Sequence, residues 1–205
     1  PQSGYMEVNN EDSSSSGIKH GCEVIHSLAE CIGQQVLMKT LATLVRQMLL
    51  GSDWRYKYVA LMSLSELGKH IGDLDDLTPI VQTAVQHFKD PACKVRWAAF
   101  HVIGMFSEDV SPEFQIRFHE SLIPLILQNL DESVPRVLCH LLNCLSNFME
   151  SLPDEHTPRY IEPVVNSVFT VLQNTEIRML REGALAVLSA TAEAAKENFR
   201  PYADK

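Results

Sequence analysis

The sequence has no apolar run long enough to cross a bilayer, which takes roughly 18 residues or more, so it predicts no membrane insertion. No signal-peptide pattern is expected from its first residues, which for a piece of a longer chain says little about the parent. Its five cysteines are an odd number without C-x-x-C pairs, which argues against a zinc ribbon or a secreted disulfide scaffold and for a reducing compartment. Cys22 with His26, and His140 with Cys144, could each share a helix face, but neither pair has two further ligands nearby. They read as small buried groups beside polar histidines, and no metal or cofactor is expected. There is no G-x-S-x-G elbow, H-E-x-x-H or phosphate-cradling glycine loop, so the sequence is not read as an enzyme. Basic residues are scarce: 17 Lys and Arg face 26 Asp and Glu, a net charge of −9. Direct nucleic-acid binding is disfavoured by that deficit, and a basic protein or peptide is the better partner.

What the sequence does have is repetition. Residues 88–106 read as a helix end, a tight Asp90-Pro91 turn and a second helix carrying Val95, Ala99, Val102, Ile103 and Phe106 at helical spacing. The first inward position recurs at Tyr56, Val95, Val137 and Leu180, in steps of 39, 42 and 43 residues. Each is followed by the same apolar pattern: Ala60, Leu64, Leu67; Ala99, Ile103, Phe106; Leu141, Leu145, Phe148; Ala184, Leu188, Thr191. Two helices per repeat at this period predict an all-α solenoid. The preceding helices carry Pro79, Pro124 and Pro163 inside apolar runs, where proline is expected to kink or restart a helix.

The predicted pairs are 35–50 with 53–71, 74–88 with 92–106, 112–130 with 133–151, and 156–173 with 176–198. A partial inner helix precedes them from residue 17, and 199–205 would begin a fifth pair. Residues 1–16, acidic and serine-rich without apolar periodicity, read as a flexible segment ahead of a solenoid spanning 17–205. The start at a proline and the stop after Phe199-Arg200-Pro201-Tyr202 suggest a piece of a longer solenoid. Gly51-Ser52-Asp53, Lys89-Asp90-Pro91, Asp131-Glu132-Ser133 and Asn174-Thr175-Glu176 read as turns that cap the inner helices.

Asp90-Pro91 followed by Val95-Arg96, with proline in the outer helix, resembles a HEAT repeat. The runs Asp53-Trp54-Arg55-Tyr56-Lys57 and Ala60-Leu61-Met62-Ser63-Leu64-Ser65 resemble the importin-beta (karyopherin-beta) nuclear transport receptors, most closely the karyopherin-beta-three branch. Phe114-Gln115, Phe118-His119-Glu120, Asn147-Phe148-Met149-Glu150 and Phe199-Arg200-Pro201-Tyr202 add to the likeness over roughly residues 17–205. The resemblance implies a HEAT-repeat α-solenoid, a right-handed superhelix of antiparallel helix pairs, forming the central part of a nuclear import receptor. Such a receptor shuttles between cytoplasm and nucleus, contacts Phe-Gly repeats of nucleoporins at the pore, and releases cargo to the GTP-bound GTPase Ran. Ran binding would rest mainly on repeats outside this chain. A HEAT scaffold for another assembly, such as a phosphatase scaffolding subunit, would share every periodic feature. The resemblance further implies a ladder between repeats built from Asp90 and Arg96, with Arg181 in the later slot and Leu138 departing from it.

At about 100° per residue, Trp97, His101 and Glu108 fall opposite the buried arc of their helix. The repeat period carries these positions to Cys139, Asn143 and Glu150, then to Glu182, Ala186 and Glu193. Glu108, Glu150 and Glu193 therefore form one column of carboxylates, broken in the first pair at Lys69, with Glu66 a turn earlier and Tyr58 in the slot of Trp97. With Asn147 of the same helix, these residues are expected to line a concave groove for an extended basic segment. Carboxylates would meet its cations, and aromatic faces its stems. The alternative is that Trp97 packs against the neighbouring repeat and the glutamates are ordinary helix-surface residues.

Overall fold

The computed structural model of the chain describes residues 34–68 and 74–202 and scattered positions between 17 and 31. The segment 1–16, Cys22, His26 and Lys69 lie outside the described residues. Helices occur in the predicted alternation: α1 (Gln34–Leu50), α2 (Trp54–Ser65), α3 (Leu77–Gln86), α4 (Cys93–Asp109), α5 (Glu113–Gln128), α6 (Pro135–Glu150), α7 (Pro158–Asn174) and α8 (Arg178–Ala195). Odd-numbered helices are the outer members of the pairs and even-numbered ones the inner members.

Each inner helix follows a turn held by one kind of side-chain bond. An oxygen of Asp53, Asp90, Glu132 or Thr175 accepts from the amide two residues on, at Arg55, Ala92, Val134 and Ile177, over 2.9, 2.9, 2.8 and 3.2 Å. At α2 that amide lies in the first turn and Asp53 is a true N-cap, whereas at α4, α6 and α8 it belongs to the residue just ahead of the helix, so the bond closes the turn and the expected side-chain cap is absent. Outer helices tolerate proline better than the pattern implied. Pro79 sits in the first turn of α3, where its missing N–H leaves no bond broken, while α5 and α7 continue through Pro124 and Pro163.

One elongated core runs from Val45 to Ala190, drawing buried residues from both members of every pair. Val95, Val137 and Leu180 are buried as the spacing predicts. Tyr56 is not: it is 57 % exposed, and Trp54 and Tyr58 pack against the core at the head of α2 instead. Phe114 of α5 joins two pairs, meeting Phe106 of α4 and Phe148 of α6 edge to face at 5.9 Å each. A smaller cluster, Ile161, Val165 and Ala195 under Phe169, Phe199 and Tyr202, closes the end.

The two layers are packed unequally. Inner helices α2, α4, α6 and α8 lie against one another in succession, whereas outer neighbours touch at few points. A stack held closely on one side and loosely on the other bends toward the close side, so the inner helices line the concave face.

Candidate functional site

Contacts between repeats keep no single offset: Lys57–Asp90 and Arg96–Glu132 span 33 and 36 positions, Lys89–Asp131 and Arg117–Asp75 span 42. Lys57 of α2 donates to Asp90 at 2.8 Å, Lys89 to Asp131 at 3.1 Å, and Arg117 to Asp75 at 2.6 Å. Arg96 of α4 grips Glu132 with two bonds, Nε to Oε2 at 2.6 Å and Nη2 to Oε1 at 2.8 Å, and also donates to the carbonyl oxygens of Asp90 and Pro91. The expected ladder thus has different rungs. Asp90 reaches back to Lys57, Arg96 reaches forward to Glu132, and the two residues meet at the backbone of Asp90. Arg181 stays within its own repeat, on the Thr175 carbonyl at 3.0 Å and Glu176 at 3.6 Å, because no inner helix follows α8 among the described residues.

These rungs are partly dry. The side chains of Arg96 and Glu132 are 14 % and 7 % exposed, and those of Lys57 and Asp90 22 % and 7 %. Burial alone would raise the Asp90 and Glu132 carboxyls. The bonds from Lys57 and the Ala92 amide, and from Arg96 and the Val134 amide, outweigh it and hold both carboxyls below their ordinary values.

The candidate groove lies along α2, α4, α6 and α8. Trp97 is half-buried, and the reason is a cluster of rings across the seam. It stacks on His140 of α6 at 4.2 Å and on His101 at 5.0 Å, with His101 and His140 5.3 Å apart and Tyr58 of α2 at 6.4 Å. Trp97 is therefore covered in large part by its neighbouring repeat. Tyr58 continues the band of rings onto a third inner helix. Burial pushes the His140 imidazole down to about 3, assisted by His101, and leaves its Nε2 buried without a hydrogen bond. Burial also lowers His101, against the opposing pull of Glu66. Both rings are neutral near pH 7 and act as flat apolar plates.

The carboxylates have a different environment. Glu108, Glu150 and Glu193 are all exposed, one at the end of each of α4, α6 and α8. Glu108 accepts from the Asn147 side chain across the seam, and Glu193 from Ser189 on its own helix at 3.1 Å. Glu182 is exposed but bound by Arg178 at 2.6 Å, and Asn143 is exposed beside it in the layer. The structure thus separates the predicted set into a covered ring cluster (Trp97, His101) and an open acidic row.

Two participants were not legible as site residues. His140 stands 43 positions from Trp97, one beyond the repeat equivalent Cys139, and only the diagonal crossing brings it under the indole. Glu132 was read as a turn residue, and its grip on Arg96 needed the three-dimensional offset. Among the described residues no group of three His, Cys, Asp or Glu side chains could hold a metal ion.

A family profile described as stalled ribosome sensor GCN1-like, HEAT repeats, matches residues 18–191. Importin subunit beta-3 of Saccharomyces cerevisiae is 27% identical over 188 residues, which is 90% of this chain and 17% of that protein. Among solved structures, Kap121p bound to Pho4p superposes with a TM-score of 0.87 at 26% identity, covering 96% of this chain and 19% of the other. Kap121p bound to Nup53p gives the same score at 25% identity and the same coverage. The chain thus spans under a fifth of the length of these relatives.

Proposed function

From the premise that this chain belongs to the HEAT-repeat family and is a stretch of importin-beta-type solenoid of the beta-three branch, we propose that it is a cargo-gripping segment of a nuclear import receptor. Its inner-helix face takes an extended, lysine- or arginine-bearing segment. Glu108, Glu150 and Glu193 pair with the cations, and Asn143, Asn147 and Glu182 contribute polar contacts between them. Tyr58, Trp97 and His101 form the apolar wall beside the row, with Glu66 at its near end. No catalytic step belongs to this reading, which rests on the importin and karyopherin relatives.

The observation that carries it is the acidic row: three carboxylates, one per repeat, all exposed on the closely packed inner layer. Exposed ion pairs are individually weak, so the grip is expected to come from several in register. Replacing Glu108, Glu150 and Glu193 together by alanine should weaken binding of a lysine-rich peptide about tenfold, or about 1.4 kcal/mol, with unchanged melting. Unaltered affinity in calorimetric titration of the triple variant would remove the groove from consideration.

The transport reading extends to a receptor that shuttles between cytoplasm and nucleus, meets nucleoporin Phe-Gly repeats at the pore and yields its cargo to Ran-GTP, mainly through regions outside this chain. Kap121p has been solved bound to Pho4p and to Nup53p, which supports cargo binding by a relative of the same fold. A HEAT scaffold of another assembly is separated from it by one measurement. The full-length parent should bind Ran with GTP in preference to Ran with GDP, and equal binding would favour the scaffold.

A further inference from the structure

Outer neighbours α5 and α7 touch lightly, and what lies between them is unlike the joint before it. Between α3 and α5 the tie is Arg117, donating to Asp75 at 2.6 Å and to Thr78 at 3.3 Å. Between α5 and α7 the centre is His119, only 7 % exposed, whose Nδ1 lies 2.8 Å from the hydroxyl of buried Tyr160. Its ring stacks on His156 at 4.2 Å and meets Tyr160 edge to face at 5.7 Å. His156 is held in place by its backbone. Its amide donates to Pro153, and the Thr157 hydroxyl donates to the carbonyls of Leu152 and Pro153.

We propose that this seam is a proton-operated hinge: His119, stacked on His156 and bonded to Tyr160 while neutral, loses that fit when protonated and frees α7 from α5. The neutral ring is well accommodated. In the tautomer whose Nδ1 is unprotonated the Tyr160 hydroxyl donates to it, and the uncharged His119 ring stacks as an apolar plate. A proton on Nδ1 turns that acceptor into a donor, forcing the tyrosine proton away in a buried setting, and sets a cation against the face of His156.

The surrounding charges do not supply an easy counterion. From α7, Arg159 opposes protonation of His119. From α5 itself, Glu120 favours it but is already held by Arg159 at 2.6 Å. On the loop, Glu155 stands 3.4 Å from His156 Nε2 rather than against His119. Burial is the main influence lowering His119, with His156 and Arg159 acting in the same direction. The inner partners α6 and α8 remain packed, so the release is a pivot about them rather than a separation of repeats.

Amide hydrogen exchange of the whole chain at pH 7.5 and pH 5.5, corrected for the intrinsic pH dependence, tests this. Exchange in the α5–α7 seam, around residues 119 and 156–162, should accelerate about tenfold at the lower pH, while the α3–α5 joint around Arg117 serves as the reference. The double variant His119→Asn with His156→Phe keeps an acceptor for Tyr160 and a ring for stacking, and should exchange equally at both pH values. No seam-specific acceleration in the unaltered chain, or its full persistence in the double variant, would overturn the hinge.

Discussion

Glu132→Ala should lower the stability of the chain by about 3 kcal/mol, enough to be read in urea denaturation as a displaced midpoint. The substitution leaves the Arg96 guanidinium, 14 % exposed, without the carboxylate that takes two of its donors. Removing one member of a largely buried pair costs more than the pair itself contributes, because the survivor remains desolvated and uncompensated. The same change deletes the bond from the Val134 amide that closes the turn ahead of α6. Arg96→Met with Glu132→Gln removes both charges. With the glutamine oxygen still accepting from the Val134 amide, the double variant should recover most of the loss, and destabilisation equal to that of Glu132→Ala would show that ion pairing is not the cause.

Acidification from pH 6.5 to pH 4 should cost on the order of 2 to 3 kcal/mol through His140. In the folded chain its imidazole stays neutral down to about 3, held there by burial and by His101, whereas in the unfolded chain it takes a proton near pH 6.5. Below that value the unfolded state binds the proton and the folded state does not, so stability is fully present above pH 6.5 and declines as the pH falls toward 3. His140→Leu and His140→Phe should both flatten the decline. They should also gain about 1 kcal/mol at pH 7, since each removes the buried Nε2 that has no hydrogen bond. Urea midpoints at several pH values would check this, and an undiminished acid slope in both variants would place the titrating group elsewhere.

The contrast between these two residues shows where sequence reasoning reached and where it stopped. Periodicity exposed the alternation of helices because one face of each must be buried, and Val95, Val137 and Leu180 obey it. The turns were legible too, since they depend on local chain geometry within a few residues, although only Asp53 caps its helix. What escaped was the lateral offset between stacked helices. Translating Trp97 by one period lands on Cys139, whereas the ring beneath it is His140, and Glu108 meets Asn147 rather than the equivalent Glu150. A one-dimensional period carries no information on how far one helix slides past the next. At Tyr56 the pattern itself misled, because Trp54 and Tyr58 take the packed positions at the start of α2.

The unequal packing of the two layers has a mechanical consequence. When a strip is flexed, the line that neither stretches nor shortens runs through its stiffest layer, and here that layer is formed by α2, α4, α6 and α8. Flexing therefore changes the spacing of surface features on the outer helices far more than that of Glu108, Glu150 and Glu193. A ligand lying along the inner layer would keep its register through the flexing, while anything bridging two outer helices would be pulled apart or squeezed out.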